Sequence, residues 1–148
     1  MRIKRHQDIS DERLSAIQTV LGKSPILNFL KVEVELLKPG FARIRIPFRR
    51  EFVQGFGVIQ GGIIATAGDT ATGIAFFTLL APAEAVVTVD LKINYLSPVK
   101  ACDIMSESRI IHKGSTISVG EFEVRGPEGN LVAKGITTLT SRRRGGAG

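Results

Sequence analysis

Residues 60–81 read QGGIIATAGDTATGIAFFTLLA, and the way this stretch is buried decides the fold. Residues 63–81 are apolar enough and long enough to be weighed as a membrane span. Against that stand four threonines (Thr66, Thr70, Thr72, Thr78), two glycines (Gly68, Gly73) and Asp69 near the middle. No basic residue closely flanks either end, as an anchored span would favour. A helix wrapped by a sheet needs the same composition, because it is covered nearly all round and keeps no polar face. The stretch reads as a long buried helix.

The flanking segments supply the sheet. Before the helix, Val32, Val34 and Leu36 alternate with Lys31, Glu33 and Glu35, and Ala42, Ile44 and Ile46 alternate with Arg43 and Arg45. Pro39-Gly40 turns one strand into the other, so the pair is a hairpin. After the helix, Val87, Val89, Leu91, Ile93 and Tyr95 fall on one face of a strand. Further strands are expected at about 103–112, 116–124 and 131–141, separated by Lys113-Gly114 and by the turn cluster at 126–130. Nearer the start, Ser10 can cap a helix whose first turn carries Asp11 and Glu12, and Gly22 stops it. Ser24-Pro25 can open a second short helix to about residue 30. Residues 1–8 and 143–148 read as flexible tails. The chain is thus expected to be one α+β domain, with an antiparallel sheet around one long central helix and small helices at 10–30.

At 148 residues, 43% of them hydrophobic, there is material for one real core and none of the signature of disorder. Twenty basic against 14 acidic residues leave a formal charge of +6, which favours an anionic partner without naming it. The single cysteine, Cys102, excludes an intrachain disulfide, and His6 and His112 lie far from it in sequence. No metal site is expected from two distant histidines and one cysteine. A nucleic-acid binder would gather its basic residues on one face with exposed aromatics, whereas here they scatter along strands and tails. The first residues carry no apolar run after their basic start, and the expected location is the cytoplasm.

Between residues 52 and 83 the only charged residue is Asp69. A carboxylate in such surroundings is costly unless it is hydrogen-bonded, protonated or open to a cleft. Upstream, Gln60-Gly61-Gly62 stands where the loop enters the helix, and free amides there form a ready oxyanion site. Asp69 lies about two turns further in, some 10 Å along the axis. One helix cannot easily aim both features at one small group, whereas two antiparallel copies across a dimer could.

Gln54, Gln60-Gly61-Gly62 and Asp69 resemble the signature of hotdog-fold acyl-CoA thioesterases of the phenylacetate-degradation (PaaI-like) type. That family shows an Asn or Gln, then His-Gly-Gly six residues on, then an Asp or Glu nine residues after the His; Gln54, Gln60 and Asp69 keep both spacings. The strand at 89–98 resembles the one that follows the helix in that family. The resemblance implies a hotdog fold, an acyl-CoA substrate, no cofactor beyond the coenzyme A the substrate carries, and a homo-oligomer, commonly a dimer of dimers. It makes Asp69 the catalytic carboxylate, as general base or nucleophile, and Gly61 the donor to the thioester carbonyl. Gln54 would orient the water or the carboxylate, and Thr88 matches a hydroxyl that holds the water. Gln60 departs from the family's histidine; it can still donate a hydrogen bond but cannot carry a proton. Gly62, Thr72 and Phe56 are implied near the substrate, and Lys113, Ser115 and Arg142 near the coenzyme phosphates. Which acyl group is cleaved stays open. A hydratase of the same fold would pair a histidine with its carboxylate, and neither histidine is placed for that. A non-catalytic acyl-CoA sensor is the alternative, favoured by Gln60 and opposed by the retained Asp69.

Overall fold

The Ser10 hydroxyl accepts a hydrogen bond from the Arg13 N–H at 3.3 Å, and the first helix starts from that cap. In the computed structural model, which describes residues 1–81 and 83–143, α1 spans Asp11–Gly22 and α2 Pro25–Phe29. Seven strands follow the chain as β1 (Arg2–Ile3), β2 (Glu33–Lys38), β3 (Phe41–Ile46), β4 (Glu84–Tyr95), β5 (Ile104–Lys113), β6 (Ser118–Arg125) and β7 (Leu131–Arg143). The long helix α3 covers Gly61–Phe77 between β3 and β4. The strands form one sheet in the order β1-β2-β3-β5-β6-β7-β4, antiparallel except for the β1–β2 pair.

Helix α3 lies against β3 to β7 and buries Ile64, Ala67, Gly68, Ala71, Thr72 and Ala75 there. Small residues on that face let helix and sheet approach closely. The reason is visible at Phe122 on β6, which is 1% exposed. A Cβ built on Gly68 of α3 would stand 2.3 Å from its ring, and one on Gly135 of β7 also 2.3 Å away. One aromatic ring thus fills the space that two glycines leave, which locks the helix to the middle of the sheet. This is the α+β hotdog arrangement. No helix among the described residues is long and apolar enough to cross a membrane.

Three local expectations change. Residues 2–6 do not float: β1 pairs with Glu33 and Val34, His6 bridges to Leu37, and Lys4 reaches Glu33 and Glu35 at 2.8 and 2.7 Å. The carboxylates that strand alternation turned outward on β2 are what hold this basic segment. Of the C-terminal tail, Arg143 ends β7, and residues 144–148 lie outside the described residues. Finally, bulges break two alternations. On β2 the register shifts between Val34 and Leu36, so Leu37 is fully buried and Leu36 only half. On β4 it shifts between Thr88 and Asp90. Val86 and Thr88 before that bulge, and Leu91, Ile93 and Tyr95 after it, turn to the helix side of the sheet, and Val87 and Val89 to the other face. A single extra residue flips the face of everything after it.

Candidate functional site

On α3, residues Asp69, Thr70, Gly73, Ile74 and Phe77 recur at helical spacing and share one face. That face borders a cavity of about 350 Å³ whose opposite walls are α1, α2 and the start of β4. Asp69 is half-buried at its edge. The Thr88 hydroxyl, brought inward on β4, donates to Asp69 Oδ1 at 2.9 Å. The lone charge of the helix therefore has a hydrogen-bond donor and a route to solvent, which removes the cost of burying it. Bonding to Thr88 uses one of several lone-pair sites on the carboxylate, so the others can take a proton or another donor.

A second pocket, about 330 Å³, lies at the other end of the helix and is bordered by Gln54, Ile59, Gly61, Ile64, Tyr95 and Leu96, among others. Gln60 caps α3 here, its side-chain oxygen accepting from the Gly61 N–H at 3.2 Å. Gln54 is held by its own loop: its side-chain carbonyl accepts the Phe56 N–H at 2.6 Å, which leaves the Nε2 end of the amide as the donor. Tyr95 was not singled out from sequence, yet it shapes this end of the helix. Its hydroxyl donates to the Gly61 carbonyl at 2.9 Å, and a Cβ on Gly61 would meet its ring at 3.2 Å. An aromatic residue near the end of the strand after the helix was the available signal.

Asp69 and Thr88 are thus brought together, and so are Gln54, Gln60 and Gly61, but the two groups border different pockets of one chain. Gly62 is exposed in the first turn, with nothing within 4 Å of a Cβ built on it. Phe56 is 92% exposed at the loop tip. Thr72 does not join Asp69: it is fully buried, donates to the Gly68 carbonyl and accepts from Ser108, each at 2.9 Å. Its methyl group fills the space over Gly120, where a Cβ would stand 2.4 Å away. The substrate contact expected of Thr72 gives way to packing.

Of the coenzyme-side residues, Lys113 lies on one row of the sheet with Thr88. Lys113 pairs with Ser118, Ser118 with Leu139, and Leu139 with Thr88. Three strand spacings put the Lys113 backbone about 14 Å from that of Thr88. Arg142 pairs with Ala85, which borders the Asp69 cavity, and Ser115 is exposed in the turn after Lys113. The Glu84 carboxyl is held below the usual range by the Ser141 hydroxyl first, then the Ala81 N–H, with Lys113 and Arg143 adding positive charge nearby. Burial pushes the Cys102 thiol up, with Asp103 adding to it. Among the described residues no three His, Cys, Asp or Glu side chains gather as they would around a metal ion.

The model of the thioesterase superfamily matches residues 56–133. A protein of Saccharolobus solfataricus provisionally named an esterase is 38% identical over 85% of this chain and 90% of its own length. Among solved structures, a thioesterase family protein from Silicibacter pomeroyi superposes with a TM-score of 0.83 at 25% identity, covering 88% of this chain and 98% of that one. The E. coli PaaI protein from the phenylacetic acid degradation operon superposes with a TM-score of 0.80 at 20% identity, over 95% and 99% of the two chains.

Proposed function

The chain belongs to the thioesterase superfamily, and from that premise we propose that it hydrolyses an acyl-CoA thioester to the free acid and coenzyme A. The observation that carries this reading is the Asp69 carboxylate, hydrogen-bonded by Thr88 at the edge of a cavity with apolar walls. A charge that a hydroxyl orients beside space for an apolar group is what acyl transfer to water requires.

In this reading Asp69 takes a proton from water as the water oxygen attacks the thioester carbonyl carbon, or attacks that carbon itself. The C–S bond then breaks, and the sulfur leaves as thiolate and takes up a proton; where Asp69 itself attacks, water then hydrolyses the acyl–Asp69 anhydride and releases the free acid. The Gly61 N–H, at the positive end of α3, stabilises the negative charge that grows on the carbonyl oxygen. Because Asp69 and Gly61 border separate pockets about two helical turns apart, the complete site joins the Gly61 end of one subunit to the Asp69 of another. A homodimer is the smallest assembly that can do so, and two dimers pair into a tetramer in the cytoplasm. Gln54 Nε2 orients the water or the carboxylate. Lys113 and Arg142 supply positive charge for the coenzyme phosphates, with Ser115 in the turn after Lys113.

Gln60 sets a condition. Its side-chain oxygen and the substrate carbonyl compete for the same Gly61 N–H, so Gln60 must turn aside when substrate binds; its Nε2 can then donate. The same cap favours a second reading, in which acyl-CoA is bound and sensed but not cleaved. Release of free thiol from a panel of acyl-CoA thioesters separates the two. In the hydrolase reading, the wild type turns over at least one chain, and a folded, oligomeric Asp69→Ala variant loses roughly 10²–10⁴-fold in kcat. Binding without thiol release by the wild type gives the sensor reading the field.

A further inference from the structure

A helix leaves the N–H groups of its first four residues without intrahelical acceptors, so each of them needs another partner. In α3 three are provided for. The Gly61 N–H donates to the Gln60 side-chain oxygen at 3.2 Å, and those of Ile63 and Ile64 donate to the Gln60 carbonyl at 2.9 and 3.4 Å. The Gly62 N–H has no acceptor among the described residues. Gly62 is exposed, and nothing lies within 4 Å of a Cβ built on it.

The peptide that carries this open N–H is held from its other end. Its carbonyl belongs to Gly61, and the Tyr95 hydroxyl donates to that oxygen at 2.9 Å. The approach is close: a Cβ on Gly61 would stand 3.2 Å from Tyr95 Cζ and 3.3 Å from its oxygen, so a side chain at position 61 would press the hydroxyl away. Tyr95 fills no core position. It is 51% exposed and borders the pocket at this end of the helix. A bond to the carbonyl fixes the plane of the peptide. It also draws charge from the nitrogen, which makes the opposite N–H a stronger donor.

We propose that Gly62 supplies a second oxyanion donor beside Gly61, and that Tyr95 is its positioning residue, acting through the peptide between the two glycines. Both roles rest on the hydrolase reading above, and they ease the condition that Gln60 sets there. The Gly62 N–H is open while Gln60 still caps Gly61. As the thioester carbon becomes tetrahedral, the charge on its oxygen meets one donor already in place. The Gly61 N–H joins it when Gln60 turns aside.

The test is a double-mutant cycle on the full-length oligomer, read as thiol release from the acyl-CoA that the wild type cleaves fastest. Tyr95→Phe keeps the ring and deletes the bond. Gly62→Pro deletes the N–H in the first turn, where proline is tolerated, and Gly62→Ala is its reference with the N–H kept. The kcat of Gly62→Pro is expected about 10²-fold below that of Gly62→Ala. Tyr95→Phe is expected to lower kcat about three- to tenfold, with KM within about twofold. In the Gly62→Pro background the same change lowers kcat no further, because the N–H it acts on is gone. A tyrosine that only braces the fold would lower both backgrounds alike, and that result overturns the positioning role, as does an unchanged kcat in folded Tyr95→Phe. Equal kcat in Gly62→Pro and Gly62→Ala overturns the donor. Should Gly62→Pro fail to fold, the Gly62 amide of protein labelled with 15N-glycine reports instead: its proton resonance moves upfield in Tyr95→Phe, and an unmoved resonance overturns the coupling. If the wild type releases no thiol, calorimetry compares each acyl-CoA with the thioether that lacks its carbonyl. A preference for the thioester that Gly62→Pro abolishes keeps the donor and ends the hydrolase reading. A preference it leaves intact, or none at all, sinks both.

Discussion

Replacing Thr88 by valine deletes one hydroxyl and keeps the branched shape of the side chain. The hydroxyl lies 2.9 Å from Asp69 Oδ1 and donates to it. Hydrogen bonds to charged groups contribute about 1.5–3 kcal/mol. Thr88 is exposed in the single chain and Asp69 is half-buried, so solvent screens the pair and the lower end, about 1.5 kcal/mol, applies. If that energy orients the carboxylate in the transition state, its loss slows kcat about tenfold. KM should stay within about twofold, because the bond does not depend on bound substrate. The assay is release of coenzyme A thiol under steady-state conditions, with a melting curve beside it. Thr88→Ser restores the hydroxyl without the methyl group and should recover most of kcat, which a packing role would not allow. An unchanged kcat in folded Thr88→Val, or no recovery in Thr88→Ser, refutes the positioning role.

Two further outcomes concern the scaffold. Gly68→Ala drives a Cβ to 2.3 Å from the Phe122 ring and should destabilise the fold by about 1–3 kcal/mol; a melting temperature equal to that of the wild type would show that the ring moves aside freely. The Glu33 carboxyl, hydrogen-bonded first by Lys4 and then by Arg45, sits at about 2 rather than 4.5. Its folded value lies below its unfolded one, so its contribution is present above pH 4.5 and fades as pH falls toward 2. Melting temperature against pH should therefore drop less steeply through that window in Glu33→Gln than in the wild type; parallel curves would contradict the linkage.

The helix was legible because its composition excludes every other habitat: apolar all round, interrupted by small residues and one acid. The Gln54, Gln60 and Asp69 set was legible because its two spacings resemble the family signature and because Asp69 is the lone charge between residues 52 and 83. The inward turn of Thr88 was hidden by a bulge in β4, which adds a residue without leaving a mark in the alternation of Val87, Val89, Leu91 and Ile93. Thr72 looked like a neighbour of Asp69 along the chain. Only the glycine at position 120, which opens a slot for its methyl group, shows that it faces the sheet. The docking of residues 2–6 was hidden for another reason: the basic residues read as solvated charge until their partners on β2 are in view.

The walls around Gly73 have unequal origins. Asp69, Gly73 and Val86 lie inside residues 56–133, the stretch matched by the superfamily, whereas Leu27 and the Arg13 that holds Phe77 come from the chain before it. The carboxylate and the cavity wall opposite it are therefore written in different parts of the gene. The segment that supplies that wall can vary while the helix that carries the carboxylate stays as it is.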